Sequence, residues 1–293
     1  MSDILADAVR RLAAAGVDSP RLDARLLWEH ANTISLSPGT GGEGRGEGDL
    51  KRDIPPHPSP LPQWGRGDTL FEAFLSRRIA REPLAFITGR KEFWSLDFEV
   101  GPGVLVPRPE TEIIVEQALL RLPDRSAPLR LLDFGTGSGC LLVALLKEFP
   151  NSRGLGIDCS EEARGYARRN LARHGLAGRG EIKPGDWGEG IEGPFDLIVA
   201  NPPYIRSGDL PGLAPEVARE PRLALDGGAD GLDALRKLAP ELVRLLAPNG
   251  IALVEIGAGQ EAASVMTQAG LSVVRTAPDL AGIPRVLVIE PRG

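Results

Sequence analysis

Cysteine is nearly missing from this 293-residue chain, with Cys140 and Cys159 as its whole supply. Two thiols cannot build a disulfide framework, and they fit a reducing cytosol. The three histidines, His30, His57 and His174, are scattered and share no spacing with the cysteines, so no metal site is expected. An excess of basic charge is absent too: 34 Lys and Arg stand against 40 Asp and Glu, for a net charge of −6 and a pI of about 5.3. That balance argues against a protein that works chiefly by coating nucleic acid, though it leaves room for a local basic patch. No apolar run approaches a membrane span, and the start lacks a basic region followed by an apolar core. A soluble cytoplasmic protein with no membrane partner is therefore expected.

The rest of the composition is ordinary for a globular chain, with 42% hydrophobic and 25% charged residues. The length suffices for a full α/β domain plus a smaller one. Ile4, Leu5, Ala8, Val9 and Leu12 recur at helical spacing up to Gly16, and Ser19-Pro20 opens a second helix carrying Leu22, Leu26 and Leu27. Residues 37–67 differ in kind: 8 Gly and 6 Pro fill 14 of 31 positions, a share that reads as low-complexity and disordered. This tract is expected to be a tolerated insertion in a helix–helix loop. Its deletion over residues 38–66 should leave turnover largely intact in a purified assay, because surface loops absorb length changes cheaply.

Helical spacing resumes at Asp68 and ends in the basic turn Arg77, Arg78, Arg81. Residues 85–106 alternate in strand fashion, with Gly101-Pro102-Gly103 expected as the turn. Pro107-Arg108-Pro109 then delivers a helix with Glu110 and Glu112 in its first turn. From residue 129 onward strands and helices alternate, which implies a mostly parallel sheet covered on both faces. Pro248-Asn249-Gly250 is expected as a turn before the strand Ile251–Ile256. The two strands near the C-terminus have so short a link that one of them should be antiparallel.

Four junctions of this alternating unit carry chemistry. Asp133-Phe134-Gly135-Thr136-Gly137-Ser138-Gly139 joins the first strand to its helix, and its glycines permit a tight turn and close approach by a ligand. The spacing is G-x-G-x-G, without the dinucleotide fingerprint and without the Lys-Ser/Thr of a phosphate loop. The second strand ends at Asp158, where an acid can accept hydrogen bonds from both hydroxyls of a ribose; a helix N-terminal role beside Ser160 is the plainer alternative. The third strand leads to Asp186-Trp187, suited to an adenine amino group and face. The strand Phe195–Ala200 stops at Asn201-Pro202-Pro203-Tyr204. Proline removes an N–H, so the Asn201 and Pro202 carbonyls are free for a ligand. Taken alone, these four residues could equally be a strand-ending turn. Together the four junctions fit a nucleoside ligand without phosphates, S-adenosyl-L-methionine above all, beside a grip for a planar –NH2 group.

With Gly135–Gly139, Asp158, Asp186-Trp187 and Asn201–Tyr204 in this order, the chain resembles the class I S-adenosylmethionine-dependent methyltransferases. Three further stretches, Arg81–Gly89, Val104–Glu112 and Glu220–Gly228, resemble the HemK/PrmC branch, whose members methylate the N5 amide of a glutamine in peptide chain release factors. The resemblance implies a seven-stranded Rossmann-like methyltransferase domain over 110–293, a β-hairpin linker over 85–109, and a small helical substrate-recognition domain over 1–84. It further implies that Gly135, Thr136, Gly137, Ser138, Gly139, Asp158, Trp187 and Asn201 hold the cofactor. Asn201, Pro202, Pro203 and Tyr204 would hold the substrate glutamine, with Asn201, Pro202 and Tyr204 catalytic and Tyr204 stacked on the amide plane. A release factor is the expected partner, with no direct nucleic-acid contact, and a monomer is expected. Phe134 departs from the leucine usual in the family, and residues 37–67 interrupt the match. The alternatives are a nucleic-acid methyltransferase acting on adenine or guanine amino groups, and a catalytically idle module that binds a translation factor.

Overall fold

A computed structural model describes residues 2–36 and 66–292, so the Gly/Pro-rich tract lies outside the described residues but for its last two positions. The chain divides into two compact units, Met1–Thr88 and Gly89–Gly293.

The first unit is helical: α1 (Ser2–Ala14), α2 (Pro20–Leu36), α3 (Arg66–Ile79) and the short α4 (Leu84–Thr88). Gly16 follows α1 with φ +73°, a left-handed helix end that glycine adopts without steric cost. The predicted stripes meet in one core of Ala8, Leu12, Leu27, Phe71 and Leu75, with Trp28 edge-on to Phe71 at 5.1 Å. Within that unit Arg78 Nε donates to Asp23 Oδ2 at 2.7 Å, and both side chains are only 8% exposed. Removing one partner strands a buried charge, which costs far more than the intact pair contributes. Asp23→Ala should therefore destabilise the helical unit by about 3–5 kcal/mol, measured as faster amide hydrogen exchange across α2 and α3.

The second unit opens with the antiparallel hairpin β1 (Arg90–Phe93) and β2 (Leu96–Glu99). Here the structure corrects two expectations. Leu84–Thr88 is helix, not strand, and the hairpin turns at Trp94-Ser95 rather than at Gly101–Gly103. Both turn residues are left-handed, at φ +53° and +56°, the geometry of a tight primed turn that Asn-Gly would normally signal. Tertiary contacts hold this unusual pair: Trp94 N–H donates to Glu112 Oε1 and its indole N–H to Glu148 Oε1, each at 2.7 Å.

A 3₁₀ turn, Pro109–Thr111, leads into α5 (Glu112–Arg121). The alternation follows as predicted, through β3 (Arg130–Phe134), α6 (Cys140–Glu148), β4 (Arg153–Asp158), α7 (Glu161–Arg173), β5 (Gly180–Pro184) and β6 (Phe195–Ala200). After it come α8 (Asp233–Leu245), β7 (Leu246–Glu255), α9 (Ala262–Gln268), β8 (Leu271–Pro278) and β9 (Pro284–Pro291). The seven strands lie in the order β5-β4-β3-β6-β7-β9-β8. β9 runs antiparallel to both neighbours while the rest are parallel. Strand β7 carries the expected Pro248-Asn249-Gly250 turn within its span: Phe195 pairs with Leu246 but Leu197 with Ile251, and a Cβ on Gly250 would stand 3.1 Å from Ala247 N, so the chain folds back there as a bulge against β6. The strands are near-continuous apolar runs because helices cover both faces, and α6 is buried from Cys140 through Leu146. Among the described residues no helix is long and apolar enough to cross a membrane.

The strand order decides where chemistry can occur. From β3 the chain first builds outward to β4 and β5, then returns to lay β6 on the other side. The loops after β3 and β6 thus diverge at the carboxyl edge, the crevice where open α/β sheets bind ligands.

Candidate active site

Pairing β3 with β6 sets Phe134 against Ala200, so Gly135 and Asn201 leave the sheet side by side. Pairing β4 with β3 places Asp158 on the other flank of the glycine turn. These junctions surround a cavity of about 860 Å³ whose wall includes Gly135, Gly137, Asp158, Trp187, Asn201, Pro202 and Pro203. That volume suits a nucleoside-sized ligand with room for a second group.

Gly135 and Gly137 have φ of +64° and +56°. A Cβ built on Gly135 meets nothing within 4 Å, so a side chain there would occupy space a ligand can use. The Gly137 N–H donates to Asp158 Oδ2 and the Ser160 N–H to Asp158 Oδ1, both at 2.9 Å. Asp158 therefore braces the glycine turn and the entry to α7 while still facing the cavity. Its carboxylate has lone pairs beyond those two bonds to offer a diol. Trp187 is left-handed at φ +60°, a strained backbone for a bulky residue. Its ring lies 6.4 Å from that of Phe134, and both line the cavity.

Three predicted cofactor residues stand behind the wall rather than on it. Thr136 Oγ1 donates to Asp133 Oδ2 at 2.6 Å, and its N–H donates to Ile157 O. Burial pushes the Asp133 carboxyl up to about 7. Ser138 is 2% exposed and its carbonyl accepts from Asn170 Nδ2. Gly139, at φ +79°, begins α6 and lies so close to α7 that an added Cβ would sit 3.2 Å from Ala167. These three shape the turn; Gly135 and Gly137 present it.

The same division runs through the Asn-Pro-Pro-Tyr segment. Asn201, Pro202 and Pro203 reach the wall, whereas Tyr204 packs inward, its ring edge beside Gly257 and its hydroxyl 3.5 Å from Glu255 Oε1. Burial pushes the Tyr204 hydroxyl up to about 12. Its carbonyl accepts from Gln260 Nε2 at 3.2 Å. Behind the bend, Gly227 N–H donates to Ile205 O at 2.8 Å. A Cβ on Gly227 would stand 2.8 Å from Pro203 O, Tyr204 Cα and Gly231 O, all backbone atoms that cannot yield cheaply. Gly227→Ala should push the bend into the cavity and lower kcat on the order of 10–100-fold with the circular dichroism spectrum unchanged.

Residues that sequence reasoning passed over complete the site. Glu220 accepts from the Val106 N–H and from the Arg108 guanidinium, which ties the Glu220–Gly228 stretch to the Val104–Glu112 stretch. Asn201 Nδ2 donates to Thr111 Oγ1 at 3.0 Å, and Thr111 Oγ1 donates to Glu255 Oε2 at 2.7 Å. Glu255 was legible as an anomaly, the one acid within the apolar run Ile251–Ile256; its partner 144 residues away was not.

Comparison with known proteins agrees with this geometry. The methyltransferase small domain family matches residues 114–221, and the PrmC N-terminal domain family matches residues 3–37. A release factor glutamine methyltransferase of Rhodospirillum rubrum is 44% identical over 96% of this chain and 82% of its own. One of Caulobacter vibrioides is 43% identical over 95% of this chain and 92% of its own. Among solved structures, a T. thermophilus 16S rRNA methyltransferase in complex with AdoMet and guanosine shares the fold. Its TM-score is 0.51 at 19% identity, over 69% of this chain and 50% of that one. Identity at this level across nearly the whole length settles the kinship: the chain belongs to the release factor glutamine methyltransferase family.

Proposed function

We propose that this protein transfers a methyl group from S-adenosylmethionine to the side-chain amide nitrogen, N5, of the glutamine in the Gly-Gly-Gln motif of a peptide chain release factor, in support of translation termination. The observation that carries this reading is the meeting of Asn201–Pro203 with Gly135, Gly137 and Asp158 on one cavity wall. The residues fit the cofactor. Gly135 leaves open space in front of its backbone, Asp158 offers a carboxylate to a diol, and Trp187 offers a ring to a base. When bound, S-adenosylmethionine supplies an electrophilic methyl on a sulfonium that departs as a neutral thioether.

The chain's own residues then have a positioning task. An amide nitrogen is a poor nucleophile because its lone pair is delocalised into the carbonyl. Asn201 Oδ1 and the Pro202 carbonyl accept its two N–H bonds, which orients the nitrogen and raises its electron density as the new bond forms. Thr111 holds the Asn201 amide from behind, and Tyr204 acts as part of that backing, not as a stacking platform. As the N–C bond forms and the C–S bond breaks, the alkylated nitrogen becomes strongly acidic and one of its N–H protons passes to solvent, so no strong general base is required; alignment and preorganised acceptors supply the acceleration. We assign release-factor recognition to the helical domain, residues 1–84, methyl transfer to residues 110–293, and the linking role to 85–109.

Incubation with labelled methyl donor and, separately, release factor, DNA and rRNA tests the reading by mass spectrometry. Label on the Gly-Gly-Gln glutamine is expected. Label on nucleobases would install the nucleic-acid reading instead, and no label anywhere would favour an idle binding module.

A further inference from the structure

Asn201 has a carbonyl end and an amide end of the same size, and only the carbonyl end can accept a hydrogen bond from a substrate N–H. Something in the protein must choose which end faces the cavity. Nδ2 is turned inward onto Thr111 Oγ1 at 3.0 Å. Thr111 Oγ1 can accept that bond because its own proton is committed to Glu255 Oε2, 2.7 Å away. Thr111 and Glu255 are both 2% exposed, so water does not compete for these bonds.

We propose that Glu255 and Thr111 are positioning residues of the reaction: as a carboxylate, Glu255 draws the Thr111 hydroxyl proton, and Thr111 in turn locks the Asn201 amide with Oδ1 toward the substrate. This deepens the proposed function and rests on it for the identity of the substrate. If Glu255 takes up a proton it becomes a donor to Thr111 Oγ1. The threonine hydroxyl is then free to donate to Asn201 Oδ1. The amide turns over, and Nδ2 meets the substrate N–H groups donor to donor.

The direction of the pH effect follows from the surroundings of Glu255. Burial raises its carboxyl to about 7, and Glu110 on the 3₁₀ turn adds to the rise. The Thr111 hydroxyl, Arg285 on β9 and the Tyr204 hydroxyl oppose it. Acidification through that value protonates Glu255, so kcat should fall about tenfold between pH 8 and pH 6 while KM moves less. Asp133 is raised to the same range, so the wild-type profile cannot assign the titrating group. Glu255→Gln assigns it, because a carboxamide keeps the shape of the side chain and does not titrate in this range. The acid limb should disappear in E255Q.

Thr111→Val keeps the shape and removes the hydroxyl. Its kcat should drop on the order of 10–100-fold with cofactor affinity by calorimetry within twofold, and Thr111→Ser should recover most of the loss. A second readout needs no turnover. In protein labelled with 15N-asparagine, the Asn201 side-chain resonances, identified by their loss in N201A, should titrate with a midpoint near 7 in wild type and stay fixed in E255Q. Wild-type kcat in T111V, or Asn201 resonances that do not titrate, would overturn the proposal. Because the resonances report on the relay without substrate, failure to methylate a release factor would count against the proposed function alone.

Discussion

Asn201→Ala is expected to lower kcat by two to three orders of magnitude, the loss seen when one preorganised acceptor or donor is removed from a reacting centre. Cofactor affinity should weaken only modestly, since Gly135, Gly137 and Asp158 form their part of the wall without Asn201. The structure adds a reason for the size of the effect. Truncation removes the acceptor and also leaves Thr111 Oγ1 without the donor it now holds at 3.0 Å. Single-turnover methylation of a release factor, paired with calorimetric titration of the cofactor, separates the two contributions. Turnover retained in the variant would remove Asn201 from the chemistry.

Asp158→Ala should act on the other ligand, raising the cofactor dissociation constant on the order of 100-fold. A carboxylate that accepts from a diol while bracing its own turn contributes charge-assisted bonds worth about 1.5–3 kcal/mol each. Here the bracing bonds come from Gly137 N–H and Ser160 N–H. Asp158→Asn is the informative companion. Its carbonyl can still accept one brace, so the turn is kept, while the second acceptor becomes a donor. An intermediate loss in the Asn variant would apportion the effect between diol binding and the shape of the turn. Unchanged binding in both variants would leave Asp158 with a structural role only.

The two results together would divide the site as its strands do, with the cofactor on the ends of β3, β4 and β5 and the amide on the end of β6. Phe134 is part of that division. A leucine there is usual in the family, and the phenyl ring faces Trp187 across the cavity wall. What looks in the sequence like a conservative swap within a strand is thus a change in the lining of the site.

Much of this protein could be read from local patterns. Apolar runs of strand length, glycine at positive φ after β3, an acid closing β4 and two prolines closing β6 each report on a few neighbouring residues. Period and punctuation therefore located the parallel sheet and the four junctions at its carboxyl edge. Local pattern failed where distant residues overrode it. Trp94-Ser95 carries no turn signal and is held left-handed by Glu112 and Glu148. Thr136, Ser138 and Tyr204 sit within the right motifs, yet their side chains point into the protein, because facing is set by what packs behind the loop. The relay from Glu255 through Thr111 to Asn201 spans β7, the 3₁₀ turn and the end of β6. Motif spacing was enough to bring Gly135, Gly137, Asp158, Trp187 and Asn201–Pro203 to one cavity wall. Which end of the Asn201 amide they present depends on a buried carboxylate far away in the chain, since two ends of equal size can be told apart only by their hydrogen-bond partners.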